Sequence, residues 1–417
     1  MSNAFFRPAL CCILLLALTP RPAAADDWPQ WRGPKRDGIS AETGLLKSWG
    51  SNGPPILWMT RGLGVGYSSV SVVGNRIYTI GDGTDSSFVH ALSASDKGKI
   101  LWSSRLGKPG GGGGYAGPRA TPTVDGDRVY ALGQFGDLTC LQASDGKEIW
   151  HKNLKTDLAG QMMSGWGYSE SVLVDGENVI CTPGGKDGTL AALDRRTGDV
   201  IWRSTDLQDR AAYSSILPVE IGGVRQYIQL TDASVAGIAV ENGKLLWRAA
   251  RRGSTAVIPT PIYKDGHVLV TSGYRVGCNL FRIAADGGKF AATQVYANND
   301  LENHHGGVVL IGDHIYGHSD SRGWICMEFK TGTLVWSKPG VGKGSVTAVD
   351  GELICRSEGK RGTIALVEAS PEAYKELGRF DQPERGLKEA WPHPVIANGR
   401  LYIRDMDTLL CFDLKKK

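Results

Sequence analysis

The chain has 417 residues, 56 of them glycine, and a formal net charge of +4 at pH 7. A charge this close to balance argues against nucleic acid or an anionic membrane surface as a partner. Length alone suggests two or three domains, but an internal repeat, described below, replaces that estimate with a single array.

Residues 1–25 have the pattern of a targeting segment. Arg7 supplies the positive charge, Ala9–Leu18 is the apolar core, and Ala23-Ala24-Ala25 forms a small-residue cleavage site. The apolar core is too short to span a bilayer. We therefore expect a signal peptide over 1–25, export to the periplasm or the extracellular space, and no transmembrane segment.

The next segment, residues 26–55, is predicted to be an ordered arm. Its stretch Asp27–Ser40 reads DWPQWRGPKRDGIS, with two tryptophans and two prolines. Large apolar side chains in so short a stretch favour an arm held against the body of the protein over a solvated tail.

The stretch from Ala120 to Trp150 shows the unit from which the rest of the chain is built. Asp125-Gly126-Asp127 and Ser144-Asp145-Gly146-Lys147 separate alternating apolar runs. Asp-Gly between such runs is a strong hairpin signal, because both residues tolerate positive φ. The stretch therefore predicts a four-stranded antiparallel meander.

This unit recurs along the chain with a spacing of 40 to 52 residues between its endings. Each ending is a turn followed by a strand that closes on a large aromatic side chain. The eight endings are Trp58, Trp102, Trp150, Trp202, Trp247, Tyr296, Trp336 and Phe380.

The two ends of the array are complementary. The last copy, Trp391–Leu414, has three strands, whereas the ending at Trp58 is a fourth strand with no preceding three. Joining them closes a ring and removes the exposed sheet edges of an open array. We therefore predict an all-β fold, a single eight-bladed β-propeller over residues 56–417, in which the N-terminal strand completes the C-terminal blade.

One copy, Ala192-Leu193-Asp194-Arg195-Arg196-Thr197-Gly198 followed by Trp202, resembles the pyrroloquinoline-quinone (PQQ) repeat. That repeat builds the eight-bladed propellers of quinoprotein alcohol dehydrogenases and of BamB-type scaffolds of outer-membrane protein assembly. The opening DWPQWRGPKRDG, the run Gly66–Val72 and the run Asn303–Gly307 also resemble a group of secreted PQQ-repeat proteins.

The position of a residue within the repeat, here called the repeat phase, predicts where that residue lies in the ring. In a propeller the first strand of each blade lines the central channel, so the residues that begin these strands meet at one mouth. A concave site with convergent polar groups is the default binding site. The ligand-binding candidates are Tyr67, Arg119, Tyr168, Glu170, Tyr213, His304, Lys343 and His393.

Each candidate also has a structural interpretation. The three tyrosines share one phase and could form a repeated hydrogen bond between blades. Glu170, the only acid in the set, could be a base, a metal ligand or the partner of Arg119. Side chains of a strand alternate between faces, so at most one of His304 and His305 is expected to face the channel.

The six cysteines after residue 25 are scattered through the repeats, with no C-x-x-C pair. Buried small hydrophobic side chains and disulfides are both compatible with this spacing, and the scattered positions favour the former.

Two functions follow from the resemblance. The first is a binding or assembly platform with envelope proteins, a small molecule or a saccharide as partner, expected as a monomer. The alternative is a PQQ-dependent alcohol or sugar dehydrogenase. That family binds PQQ over a tryptophan, with calcium held by Glu and Asn and a disulfide between adjacent cysteines. Trp166 and Trp391 could stack on a quinone, but no adjacent cysteines follow residue 25 and Glu170 lacks a matching Asn-x-Asp. The cofactor and the catalytic residues are therefore not assigned from the sequence, and no metal is predicted.

Overall fold

The computed structural model describes residue 1, residues 27–111 and residues 113–416. The predicted signal peptide over 1–25 lies almost wholly outside the described residues. Within this part of the chain every strand belongs to one of eight sheets, and no helix has the length and apolar character needed to cross a membrane.

The eight sheets are the eight blades of a β-propeller, which confirms the predicted fold. The strands are β1 (Ile39–Ser40), β2 (Ile56–Thr60), β3 (Ser71–Val73), β4 (Arg76–Asp82), β5 (Ser87–Ser93), β6 (Lys99–Gly107), β7 (Thr123–Asp125), β8 (Arg128–Leu132), β9 (Asp137–Gln142), β10 (Glu148–Asn153), β11 (Leu173–Asp175), β12 (Asn178–Cys181), β13 (Ala191–Asp194), β14 (Val200–Arg203), β15 (Leu217–Ile221), β16 (Val224–Leu230), β17 (Ser234–Ala239), β18 (Leu245–Ala250), β19 (Ile262–Lys264), β20 (His267–Ser272), β21 (Gly277–Asp286), β22 (Lys289–Asn298), β23 (Val308–Ile311), β24 (His314–Ser319), β25 (Gly323–Glu328), β26 (Leu334–Lys338), β27 (Gly344–Val349), β28 (Glu352–Ser357), β29 (Ile364–Glu368), β30 (Glu376–Phe380), β31 (Val395–Ala397), β32 (Arg400–Asp405) and β33 (Thr408–Asp413).

Blades 1 to 7 are consecutive antiparallel meanders, from β3–β6 to β27–β30. Blade 8 combines β31, β32 and β33 with β2, in which Trp58 is paired with Cys411 and Met59 with Leu410. The ring is therefore closed by the N-terminal strand, as the strand count at the two ends predicts. The division between arm and propeller at residue 55 stays a prediction, although β2 does begin at Ile56.

The repeat motif has a local physical reason in blade 3. Asp194 Oδ1 accepts hydrogen bonds from the main-chain N–H groups of Arg196 and Thr197, which fixes the turn before β14. Gly198 has a φ of +77°, and a Cβ there would lie 2.9 Å from the ring of Trp150 in blade 2. The glycine therefore lets the tryptophan of one blade pack against the turn of the next.

This contact between blades repeats around the ring. The indole N–H of Trp102 donates to Ala143 O at 3.2 Å, and that of Trp150 donates to Arg195 O at 3.0 Å. Trp336 donates to Ser370 O at 3.0 Å, and the hydroxyl of Tyr296, at a degenerate ending, donates to Phe329 O at 2.9 Å. The aromatic residue of the outer strand therefore lies between neighbouring blades at these positions.

Residues 28–40 of the arm lie along the inner strands of the ring. Trp28 forms a bridge with Val72 of blade 1, and Ile39 and Ser40 pair in parallel with Ala348 and Val349 of blade 7. These partners lie toward the C-terminal ends of their inner strands. Residues 28 and 40 of the arm are therefore near the end of the channel that is opposite the strand starts.

Two buried arginines hold the arm to the inner strands. Arg36 donates to Val172 O at 3.3 Å and to Ser171 O at 2.5 Å, both in blade 3. Arg32 donates to Val308 O in blade 6 at 2.6 Å. Burial lowers the pKa of both guanidinium groups to about 10, so both stay charged near neutral pH. The arm is thus a plug bonded to opposite sides of the ring.

Candidate functional site

A cavity of about 150 Å³ lies on the channel axis, at the end where the inner strands begin. Trp31, in the middle of the arm, forms its floor and separates it from a space of about 10 Å³ lined by Trp28, Arg32 and His393. The residues that line the cavity are Trp31, Tyr67, Tyr115, Arg119, Trp166, Ser169, Tyr213, Ser215, Ala256, Ile258, Tyr274, His304, His305 and Trp391.

Most of these residues lie just before the first strand of a blade. Tyr67 precedes β3, Arg119 precedes β7, His304 precedes β23 and Trp391 precedes β31. The other contributors come from the arm and from the loops that cross the mouth. The mouth predicted from repeat phase is therefore the open end of the cavity.

Aromatic rings form one wall as a stack. The ring of Trp391 contacts Tyr67, with centroids 4.3 Å apart, and Tyr115, with centroids 5.0 Å apart. Trp391 donates its indole N–H to Glu358 Oε2 at 2.9 Å, which fixes the ring plane. The pKa of the Glu358 carboxyl is raised, and burial is the largest cause.

The imidazoles of His304 and His305 supply neutral polar groups. Burial lowers the pKa of His304 to about 4, helped by the charge of Lys343. Burial and the neighbouring histidine hold the pKa of His305 well below its usual value. Both side chains line the cavity, so the expectation that only one faces the channel is wrong. The reason is that this segment precedes β23 and is not a strand, so the alternation of faces does not apply.

Arg119 uses its donors on main-chain oxygens of the mouth loops. It donates to Tyr115 O at 2.7 Å and to Trp166 O at 3.1 Å, and its guanidinium carbon lies 5.7 Å from the centroid of the Tyr67 ring. Burial lowers the pKa of Arg119, but the group remains a cation. Arg119 therefore ties two loops together at the rim of the cavity.

Four of the eight predicted site residues line the cavity: Tyr67, Arg119, Tyr213 and His304. The other four lie elsewhere. Tyr168 is buried and donates to Pro183 O at 3.0 Å. Lys343 forms an ion pair with Asp320 at 3.0 Å. The assignment of any of these residues to ligand binding stays a prediction.

His393 and Glu170 lie below the cavity, against the arm. The ring of His393 lies 4.6 Å from that of Trp31, and its Nε2 is 2.9 Å from His305 O. Glu170 is buried and accepts a hydrogen bond from Thr182 Oγ1 at 2.7 Å. His393 therefore contacts the floor residue Trp31, whereas Glu170 lies in the field of Arg36 of the arm.

Several cavity residues fall outside the repeat-phase prediction. Trp31 belongs to the arm, and Tyr115 and Tyr274 belong to connecting loops. The concentration of tryptophan in the arm was the available signal for Trp31, since a buried aromatic arm must lie against some part of the ring.

The residues present do not fit a quinone held by calcium. Within residues 27–111 and 113–416, no group of three or more His, Cys, Asp or Glu side chains is placed to hold a metal ion. Two acids beside the cavity have other partners: Glu358 is bonded to Trp391, and Asp320 is paired with Lys343. All six cysteines after residue 25 are buried thiols, so they supply no disulfide cover.

The closed ring of eight repeat blades and the cavity at its mouth define the class of protein, a PQQ-repeat β-propeller. A family profile described as outer membrane protein assembly factor BamB matches residues 85–338, more than half of the chain. The chain belongs to this family.

Individual relatives match over part of their length. Outer membrane protein assembly factor BamB of Alkalilimnicola ehrlichii is 30% identical over 209 residues, 49% of this chain and 48% of the relative. The protein of the same name from Shewanella oneidensis is 21% identical over 269 residues, 60% of this chain and 63% of the relative. The chain spans about half the length of the first of these.

Solved structures share the fold. BamB from Moraxella catarrhalis superposes with a TM-score of 0.60 at 14% identity, over 86% of this chain and 98% of that one. Quinohemoprotein alcohol dehydrogenase from Comamonas testosteroni superposes with a TM-score of 0.62 at 13% identity, over 95% and 82%. At these identities the likeness is one of fold alone.

Proposed function

We propose that this protein is a binding or assembly platform of the cell envelope, and that the mouth of its channel is the binding face. The observation that carries the proposal is the cavity at that mouth, walled by aromatic residues and floored by Trp31 of the arm. A concave, largely apolar site with a few convergent polar groups is typical of a binding site.

Family membership supports the same role. The relatives are named as assembly factors of outer membrane proteins, and the predicted targeting segment over 1–25 agrees with a periplasmic location. A propeller offers its mouth loops and strand edges to other proteins, which suits a platform.

Site-specific photo-crosslinking in cells tests the proposal. A crosslinking residue in place of Tyr274, an exposed residue at the mouth, is expected to give discrete adducts in the envelope fraction. The matched control replaces Asp127, an exposed residue in the turn after β7, at the opposite end of the ring. Equal adducts from both positions, or protein found only in the cytosol, would refute the proposal.

A further inference from the structure

Three residues that line the cavity each carry a buried polar atom that has no hydrogen-bond partner. These atoms are Nδ1 of His304, Nδ1 of His305 and Oγ of Ser169. His305 is only 7% exposed, and its Nε2 lies 3.5 Å from Glu358 Oε2 without forming a hydrogen bond. Buried polar groups in proteins are normally paired, and a small turn of these side chains toward the cavity would let a ligand there pair with them.

These atoms come from different sides of the channel. Ser169 precedes the first strand of blade 3, whereas His304 and His305 precede that of blade 6. A ligand lying across the axis would therefore meet hydrogen-bonding groups at both of its ends. Each neutral imidazole offers one donor and one acceptor, and the serine hydroxyl offers both, which matches the donor and acceptor character of an alcohol.

The cations Arg119 and Lys343 both have partners. Arg119 spends donors on Tyr115 O and Trp166 O, and Lys343 is paired with Asp320. Arg119 keeps its positive charge, but the unpaired atoms of His304, His305 and Ser169 belong to neutral groups. The free polar groups thus favour an uncharged ligand.

The remaining surface of the cavity is aromatic. Trp31 lies beneath the space, and Tyr67 and Trp391 stand at its side. Aromatic faces pack against flat apolar C–H surfaces, and the volume of about 150 Å³ admits on the order of ten water molecules, or one small ring compound. Hydroxyl groups around the edge and C–H groups on the faces describe a sugar ring.

We propose that the cavity binds a single sugar ring, with Ser169 and His304 hydrogen-bonded to its hydroxyl groups and Trp31 beneath its face. This inference rests on the proposed function, because it names the ligand of that same mouth. The ring has two sources, a free monosaccharide or the terminal residue of a glycan whose chain continues out of the mouth. The hydrogen-bonding chemistry is the same for both.

Titration of the purified protein with glucose, galactose, mannose and N-acetylglucosamine tests the proposal, by calorimetry and saturation-transfer NMR. We expect saturable binding of at least one sugar, and His304→Ala should weaken it about tenfold or more, as loss of a buried hydrogen bond requires. Ser169→Ala provides a second, smaller change. His314→Ala, which removes an imidazole at the far end of blade 6, is the matched control and should bind as wild type.

A second experiment distinguishes the two sources of the sugar ring. Disaccharides that end in the preferred sugar should bind more tightly than the monosaccharide if the ligand is a chain end, and no better if it is a free sugar. The inference is overturned if no sugar binds, if His304→Ala binds as wild type, or if benzoate binds more tightly than every sugar. Such a result leaves the crosslinking at Tyr274 unaffected, so the two proposals fail separately.

Discussion

The surroundings of Glu170 shift the pKa of its carboxyl group. Its carboxyl is buried beneath the cavity, accepts hydrogen bonds from Thr182 and faces the field of Arg36 in the arm. Burial outweighs these favourable contacts and raises the pKa of Glu170 to about 7. The residue is therefore a structural group that titrates near neutrality.

The shift predicts a dependence of stability on pH. Between about pH 4.5 and about pH 7 the folded protein binds this proton and the unfolded chain does not, so stability falls as pH rises through this range. We expect Glu170→Gln to be more stable than wild type at about pH 8, by about 1–3 kcal/mol, and nearly equal to it at about pH 5. Urea denaturation at both pH values measures this.

The difference between variant and wild type is the quantity to compare. Buried histidines such as His304 and His393, with lowered pKa values, make stability rise with pH and act in the opposite direction. Glu372→Gln, at an exposed position, is the control and should show no gain at either pH. A Glu170→Gln variant less stable than wild type at about pH 8 would contradict the assigned shift.

At the scale of single residues, sequence reasoning located part of the site. Repeat phase placed Tyr67, Arg119, Tyr213 and His304 at the cavity, because the start of each inner strand has the same position in every blade. It could not place Trp31, since the arm follows no repeat. It also could not foresee that Asp320 engages Lys343, because that contact joins two loops of separate blades.

Among the elements, the outer strands carry the contacts between blades. Trp150 of β10 is 7% exposed and bonds to Arg195 O in the next blade, whereas its neighbour Ile149 is 38% exposed. The alternation along this strand therefore separates a residue that joins blades from one that faces solvent.

Replacing this tryptophan should weaken the ring. Trp150→Ala leaves a cavity between blades 2 and 3 and is expected to lower the free energy of unfolding by about 3–5 kcal/mol. Ile149→Ala, on the solvent face of the same strand, should change it by less than about 0.5 kcal/mol. Chemical denaturation of both variants checks the pair, and similar losses at the two positions would show that Trp150 does not hold the blades together.

Strand order and blade number were predictable from the sequence because turns and alternation are local signals. The position of the arm was not predictable from the sequence. It depends on the pairing of Ile39–Ser40 with Ala348–Val349, about 300 residues apart in the chain. A two-residue parallel strand leaves no pattern in the sequence, and the tryptophans of the arm show only that it is buried, not where.

For the molecule as a whole, closure through β2 removes a sheet edge. Trp58 and Met59 pair with Cys411 and Leu410, so β33 has a neighbour on both sides. Without β2, β33 would be an unpaired edge strand, which readily pairs with another chain.

Two truncations test this closure. A chain that begins at residue 62 lacks the arm and β2, and we expect it to self-associate through the exposed β33. A chain that begins at residue 53 lacks all but the last three residues of the arm and keeps β2, and should melt at a lower temperature while retaining the oligomeric state of the full chain. Light scattering after size-exclusion chromatography distinguishes them, and an unchanged mass for both would mean that β2 does not protect the edge.

The arm plugs the channel, so the channel is closed at one end. In the described part of the chain, Trp31 closes the cavity below and the mouth loops leave it open above. A solute in the cavity must therefore leave through the same opening by which it entered. If a protein docks over that opening, as the proposed function implies, the residence time of the solute would depend on the lifetime of the docked complex.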